Sequence, residues 1–179
     1  SYVKGAVNVT FTFADSNLEN ATLLLDGQFQ ANVTSTTSYS WNTALSSDGI
    51  HRLTLTVFDK AGNSAKSEAT VIVDNTLPVG EIRAFSPSNG IYIKGTVDIT
   101  FYGYDLNLEL MKLDIDGNSV PSYSLTISGT YTKLWNTTTY LDGAHTISLV
   151  VYDKAGNQYT VSTTVTVDNT PPAVTINSP

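Results

Sequence analysis

Tyr2-Val3-Lys4-Gly5-Ala6-Val7-Asn8-Val9-Thr10-Phe11 returns as Tyr92-Ile93-Lys94-Gly95-Thr96-Val97-Asp98-Ile99-Thr100-Phe101. Within the first copy Val7, Val9, Phe11 and Phe13 share one face and Asn8, Thr10 and Thr12 the other, the period-two signature of a strand with one buried side. The second copy buries Val97, Ile99 and Phe101 and exposes Asp98, Thr100 and Tyr102 in the same way. Further along, Asp59-Lys60-Ala61-Gly62-Asn63 returns as Asp153-Lys154-Ala155-Gly156-Asn157. A module stated twice at a period of about 90 residues reads as an array of folding units rather than one catalytic domain.

Outward from this stretch the alternation continues. Leu23/Leu25, Leu53/Leu55/Val57 and Val71/Val73 carry it in the first copy; Met111/Leu113/Ile115, Ile147/Leu149/Val151 and Val165/Val167 carry it in the second. No segment holds a helical period for more than about two turns. Turn signals separate the runs: Asp26-Gly27 and Asp116-Gly117 close one pair, and Asp48-Gly49 and Asp142-Gly143 precede another. In Asp59-Lys60-Ala61-Gly62 the Asp suits the first turn position and the Gly takes the left-handed conformation of a short hairpin. The pattern predicts an all-β chain of about seven short antiparallel strands per unit, packed as two facing sheets.

Composition narrows the function classes. The 179 residues carry a net charge of -7 and only 14% charged side chains, and about a quarter are Ser or Thr. Such a surface repels phosphate backbones, so nucleic acid is not an expected partner. With no cysteine there is no disulfide, no thiolate metal site and no cysteine nucleophile. No apolar run approaches the roughly 20 residues of a membrane span. Ser1 opens directly into a strand-like segment, which reads as a mature or excised piece.

The strings Trp135-Asn136-Thr137, Asp142-Gly143-Ala144-His145, Asp153 to Asn157 and Asp168-Asn169-Thr170-Pro171-Pro172 have counterparts at Trp41, Asp48-Gly49-Ile50-His51, Asp59 to Asn63 and Asp74-Asn75-Thr76-Leu77-Pro78. Together they resemble the bacterial and archaeal Ig-like repeats of secreted and cell-surface proteins, over nearly the whole chain. The resemblance implies two tandem immunoglobulin-like β-sandwich domains, residues 1–76 (lacking a first strand) and 77–171, followed by residues 172–179. It implies an extracellular, cell-surface setting but no single activity, because such repeats serve as stalks, adhesins, surface-layer segments and accessory domains of secreted hydrolases.

No catalytic constellation emerges. His51 and His145 each follow Asp-Gly by one residue at the start of a strand, where an aromatic at a sandwich corner returns a hydrogen bond to the backbone; no nucleophile elbow accompanies them. Trp41 and Trp135 occupy equivalent positions and read as core packing rather than a sugar platform. Sequons at Asn8, Asn20, Asn32 and Asn136 are candidate glycosylation sites, with Asn8 on the solvent face. In such a sandwich the loops after the second and sixth strands lie at the end where the preceding linker enters. That brings Asp105-Leu106-Asn107-Leu108-Glu109 and Asp153 towards Asp74-Asn75, making Asp74, Asn75, Asp105, Asn107, Glu109 and Asp153 candidate calcium ligands, since calcium takes about six to eight oxygens. The competing reading has Asp105 and Asn107 capping a turn and Asp153 serving its hairpin.

The ends do not match. Pro78-Val79-Gly80-Glu81-Ile82-Arg83-Ala84-Phe85-Ser86-Pro87-Ser88-Asn89-Gly90 supplies a first strand to the second unit, and the first unit has no counterpart. Pro172-Ala173-Val174-Thr175-Ile176-Asn177-Ser178-Pro179 matches the opening of that strand. Either the chain is one piece of a longer array, or the tail, through Val174 and Ile176, completes the sheet of a neighbouring copy and builds a head-to-tail filament. The expected function is therefore a structural block of an extracellular assembly: a filament or pilus-like fibre, a surface layer or an adhesin stalk. Its partners are neighbouring copies or repeats. The alternative is a non-catalytic accessory module of a secreted hydrolase, binding carbohydrate through aromatics such as Tyr102 and Tyr104.

Overall fold

The computed structural model describes residues 1–87 and 91–178, with the backbone alone for 121–124. Ser88-Asn89-Gly90 of the connecting segment and Pro179 of the expected tail strand lie outside the described residues. The chain divides into two compact units, Ser1–Thr76 with Lys154–Asn157, and Leu77–Asp153 with Gln158 onward.

The first unit contains β1 (Tyr2–Val3), β2 (Ala6–Thr10), β3 (Leu18–Leu25), β4 (Gln28–Asn32), β5 (Ser38–Asn42), β6 (Gly49–Asp59) and β7 (Ser64–Val73). One sheet runs β1-β7-β6-β3-β4 and the other pairs β2 with β5. Asp26 and Gly27 both hold positive φ, 51° and 80°, so they form the two-residue type I′ turn whose twist matches the strands it joins, Leu25 to Gln28. Ala21, Leu23, Val33, Trp41, Leu53 and Val73 are buried, and Val9, Phe11, Phe13, Leu55 and Val57 are half-buried around them.

The second unit contains β8 (Val79–Ser86), β9 (Tyr92–Ile93), β10 (Thr96–Tyr104), β11 (Leu108–Ile115), β12 (Asn118–Leu125), β13 (Gly129–Asn136), β14 (Gly143–Asp153) and β15 (Gln158–Val167). Its sheets run β12-β11-β14-β15-β9 and β13-β10-β8. The core is larger: Val97, Ile99, Phe101, Met111, Leu113, Ile147, Leu149 and Val151 all lie at its centre, each at 1% exposure or less. Each such side chain contributes about 1.5–3 kcal/mol by leaving water.

The predicted alternation is realised, with two departures. The expected strand from Tyr2 to Phe11 is broken at Gly5, whose φ of 64° takes the chain from one sheet to the other, and Gly95 (66°) does the same in the second unit. Hence β1 and β9 pair in parallel with the last strand of one sheet, while β2 and β10 begin the other. The first unit thus does possess a short opening strand, β1; what it lacks among the described residues is a counterpart of β8.

The second departure follows from that lack. Strand β10 continues to Tyr104, paired with Glu81, Gly80 and Val79 of β8 on one edge and, as far as Gly103, with Thr130 and Gly129 of β13 on the other. Strand β2 stops at Thr10, where the same stretch of sequence has no such partner. The half-buried core of the first unit predicts that it unfolds first. In urea, the fluorescence of Trp41 (in Trp135→Phe) shifts at a lower midpoint than that of Trp135 (in Trp41→Phe). Ile147→Ala costs about 2–5 kcal/mol and Leu55→Ala less.

Candidate functional site

Three local constructions recur in both units, and they account for most of the polar residues that the sequence singles out. The first is a clamp at the exit of the last strand. The Asn75 side chain accepts from Thr43 Oγ1 at 3.0 Å and donates to Thr43 O at 2.9 Å. Its backbone amide donates to Asp48 Oδ1 at 2.8 Å, and Thr76 Oγ1 donates to Asp48 Oδ2. Asn169, Thr137, Asp142 and Thr170 repeat the arrangement. These bonds, the one from Thr76 foremost, hold the Asp48 carboxyl below the usual carboxylate range. Asn75, a candidate calcium ligand by sequence, thus has its amide engaged with Thr43.

The second construction is a histidine corner. His51 Nδ1 lies 2.6 Å from Asp26 Oδ2 and Nε2 lies 2.8 Å from Ser47 O. His145 does the same with Asp116 Oδ2 (2.6 Å) and Leu141 O (2.8 Å). The backbone bond is the one expected of a corner aromatic. The carboxylate partner is the part sequence reasoning missed, although the coincidence of Asp-Gly turn and Asp-Gly-x-His in both repeats was a usable signal. Asp26 Oδ1 also accepts from Arg52 N at 2.8 Å, and Asp116 Oδ1 accepts from Thr146 N at 2.8 Å. One carboxylate therefore ties the β3–β4 turn to β6, or the β11–β12 turn to β14.

Both ring nitrogens face atoms that only accept, so both are satisfied only in the imidazolium. The His51 pKa is raised, first by the bond to Ser47 O and then by Asp26; that of His145 is raised first by Asp116 and then by Leu141 O. Around them pack Trp41, edge-on to His51, and Trp135 and Tyr140, edge-on to His145. The register partners on β7 and β15 are Val71 and Val165, so Asp26 and Asp116 are the charged groups facing the rings.

The third construction is the turn that follows the sixth strand. Asp59 accepts from the amides of Ala61 and Asn63 at 2.9 and 2.8 Å and from Asn63 Nδ2 at 2.8 Å, so this carboxylate serves its own hairpin. Its counterpart Asp153 is fully buried, and Asp105 is 8% exposed. A carboxylate oxygen of each lies within 4.8 Å of one of the other. Asp105 Oδ1 accepts from Asn107 N at 2.6 Å, and its backbone exchanges hydrogen bonds with Ser128 Oγ. Of the candidate ligands in the second unit, Asp105 and Asp153 are brought together, Asn107 gives its backbone amide to the Asp105 carboxylate in the same turn, and Glu109 is exposed on β11. Asp74, in the first unit, is buried at 3% exposure.

The remaining candidates are surface features. Asn8, Asn32 and Asn136 are exposed; Asn136 Oδ1 caps the turn at Thr138, and Asn20 Oδ1 accepts from Thr34 Oγ1. The face of Tyr102 carries the Arg83 guanidinium, 4.3 Å from the ring centroid. Trp41 and Trp135 are core residues at 4% exposure. Val174 and Ile176 are 91% and 88% exposed and belong to no strand. No helix among the described residues is long and apolar enough to cross a membrane.

The corner sets a sign for pH. A raised histidine pKa adds stability that is full below about 6.5 and is lost as pH rises through the folded value. Depressed values at Asp26, where the Arg52 amide is the main cause, and at Asp116, where His145 is, add stability that is lost on acidification. Melting temperature is therefore highest in mildly acidic buffer and falls as pH rises above about 6.5. His51→Gln/His145→Gln flattens that limb; an unchanged slope contradicts the assignment.

Residues 7–75 match the family described as bacterial Ig-like domain, and residues 129–179 match bacterial Ig-like domain (group 3). No curated protein sequence matches the chain. Among solved structures, the fibronectin(III)-like modules of Clostridium thermocellum CbhA superpose with a TM-score of 0.57 at 13% identity, covering 94% of this chain and 87% of theirs. A Ca2+-stabilized adhesin with which an Antarctic bacterium binds ice gives 0.41 at 22% identity, covering 94% of this chain. The tetra-tandem repeat in the extending region of a large adhesion protein gives 0.41 at 19% identity, covering 91%. This chain spans 45% of the length of each of the last two. The two family matches fall in successive units, and the chain is a tandem repeat of bacterial Ig-like domains.

Proposed function

We propose that this chain is a non-catalytic structural block of an extracellular surface assembly, a filament, surface layer or adhesin stalk, that continues from copy to copy by strand addition. The observation that carries this reading is the contrast between the two units. The sheet of the second is closed by β8, whereas the equivalent edge of the first, along β2, has no partner strand among the described residues. An unpaired edge above apolar side chains is a template for another strand. The carbohydrate-binding alternative gains nothing from Tyr102, whose face Arg83 already covers.

Under this reading, negative-stain micrographs of the purified chain show linear fibres whose length grows with protein concentration. Monodisperse particles at every concentration contradict it.

Divalent cation binding belongs to the same proposal. Two buried carboxylates with oxygens within 4.8 Å of each other repel in a low-dielectric setting, and a hard cation relieves that repulsion. Asp105 and Asp153 supply its anionic oxygens in the second unit. If so, chelation by EDTA lowers the melting temperature of the second unit by several degrees and added calcium restores it. A melting curve indifferent to both removes the cation from the account.

A further inference from the structure

A cleft at one end of the first unit has the lining of a sugar site. We propose that the fork between residues 11–18 and 34–37 binds a neutral, β-1,4-linked polysaccharide chain. Its pyranose rings lie against Phe11, Phe13 and Leu18, and its hydroxyls bond to the threonine and serine side chains of the rim.

The fork opens because an internal connection is short. From the Asp26-Gly27 turn to Trp41 the chain spends 13 residues, Gln28 to Ser40, whereas from Asp116-Gly117 to Trp135 it spends 17, Asn118 to Leu134. In the second unit the longer link lets β13 stay paired with β10 as far as Gly129 and Gly103. Ser128 Oγ then accepts from Asp105 N at 3.2 Å and donates to Asp105 O at 3.0 Å, which zips the two segments to their ends. In the first unit the shorter link is drawn to the opposite sheet. Val33 N donates to Ala21 O of β3 at 2.7 Å, Thr34 Oγ1 accepts from Ala21 N at 2.8 Å, and Thr36 N closes a turn onto Val33 O at 3.1 Å. Val33 is buried there at 2% exposure. The last bond across the fork runs from Phe11 N to Thr37 O at 3.0 Å. Beyond it the two segments part, and a cleft of ≈ 670 Å³ lies between them.

The lining selects the ligand class. Phe11 and Phe13 contribute two nearly parallel rings, their planes 14° apart. Thr12, Ser35, Thr36 and Thr37 are exposed at the same cleft, and each hydroxyl both donates and accepts. Asp15 is the one charged side chain of the lining; its Oδ1 accepts from Asn17 N at 2.7 Å, and Oδ2 offers a further acceptor. The face of an aromatic ring is electron-rich and takes the polarised C–H face of a pyranose, while a few polar groups orient the ligand. Equatorial β-1,4 linkages leave both faces of each sugar flat and free for such contact. A wholly apolar ligand would strip water from the hydroxyls and return no hydrogen bond. No lysine or arginine lines the cleft and the chain carries a net charge of -7, so an acidic glycan is repelled and a neutral one is not. The volume falls within the range of about 300–1,000 Å³ usual for small-ligand sites.

Titration of the full chain with cellohexaose, xylohexaose and mannohexaose, followed by amide chemical shifts in heteronuclear NMR, tests the site. At least one of these sugars moves the amides of residues 11–18 and 34–37 saturably, while those of 101–108 and 128–131 stay still. Hexagalacturonate, the acidic probe, moves neither set. Thr36→Val keeps the side-chain volume, loses the hydroxyl and weakens binding at least threefold; Ser35→Trp fills the cleft and weakens it at least tenfold. Both positions are exposed, so circular dichroism melts of the two variants match the wild type. Three neutral hexasaccharides that leave the cleft amides unmoved at millimolar concentration overturn the proposal, as does undiminished binding by Ser35→Trp or tighter binding of hexagalacturonate. Cleft amides that shift with protein concentration in the absence of sugar would show a second copy as the occupant and overturn it too. Fibre formation bears on the assembly reading alone, so the two fail separately.

Discussion

A strand with one apolar face has to satisfy two demands at once: its backbone amides and carbonyls need partners along both edges, and its inward side chains need a roof. The second unit meets both with β8 and β13 on either side of β10, which runs from Thr96 to Tyr104. The first unit meets them along one edge only, through β5. Its strand ends at Thr10, its Phe11 and Phe13 stack at 6.2 Å in a half-covered row, and its fully buried core is the smaller of the two. Most of the difference between two units of closely repeating sequence traces to one strand.

Much of this architecture was legible from side-chain order. The alternation from Val7 to Phe13 and its copy assigned the buried faces, and the Asp-Gly dipeptides assigned the hairpins, because both depend on near neighbours. The break at Gly5 was not legible: a glycine inside an alternating run looks like a tolerated strand residue until the sheets on either side are known. The end of β2 was hidden for a related reason. Phe11-Thr12-Phe13 has a strand's pattern, and the ladder with β5 stops at Thr10 opposite Ser38 with no strand on the other edge, a tertiary fact that ends the strand.

The polar sites divide along the same line. The histidines were placed at sandwich corners by their position after Asp-Gly, and the bonds to Ser47 O and Leu141 O place them there. Their union with Asp26 and Asp116 joins residues distant in sequence, across a turn whose geometry the sequence states only as Asp-Gly. The carboxylates were harder to sort. Asp59 and Asp153 occupy equal positions in the repeat, yet one serves its own turn while the other lies buried near Asp105. Local sequence is the same in both copies, and the surroundings differ: Asp59 is half-exposed and Asp153 fully buried.

Hydrogen exchange resolved by residue, followed as protein concentration rises, tests the open edge most directly. Amides of β10 are protected at every concentration, whereas those between Ala6 and Ala14 that do not bond to β5 exchange quickly in dilute solution and gain protection in step with assembly. Equal protection of both stretches in the dilute monomer would show that the edge of β2 is already closed, and would contradict the account.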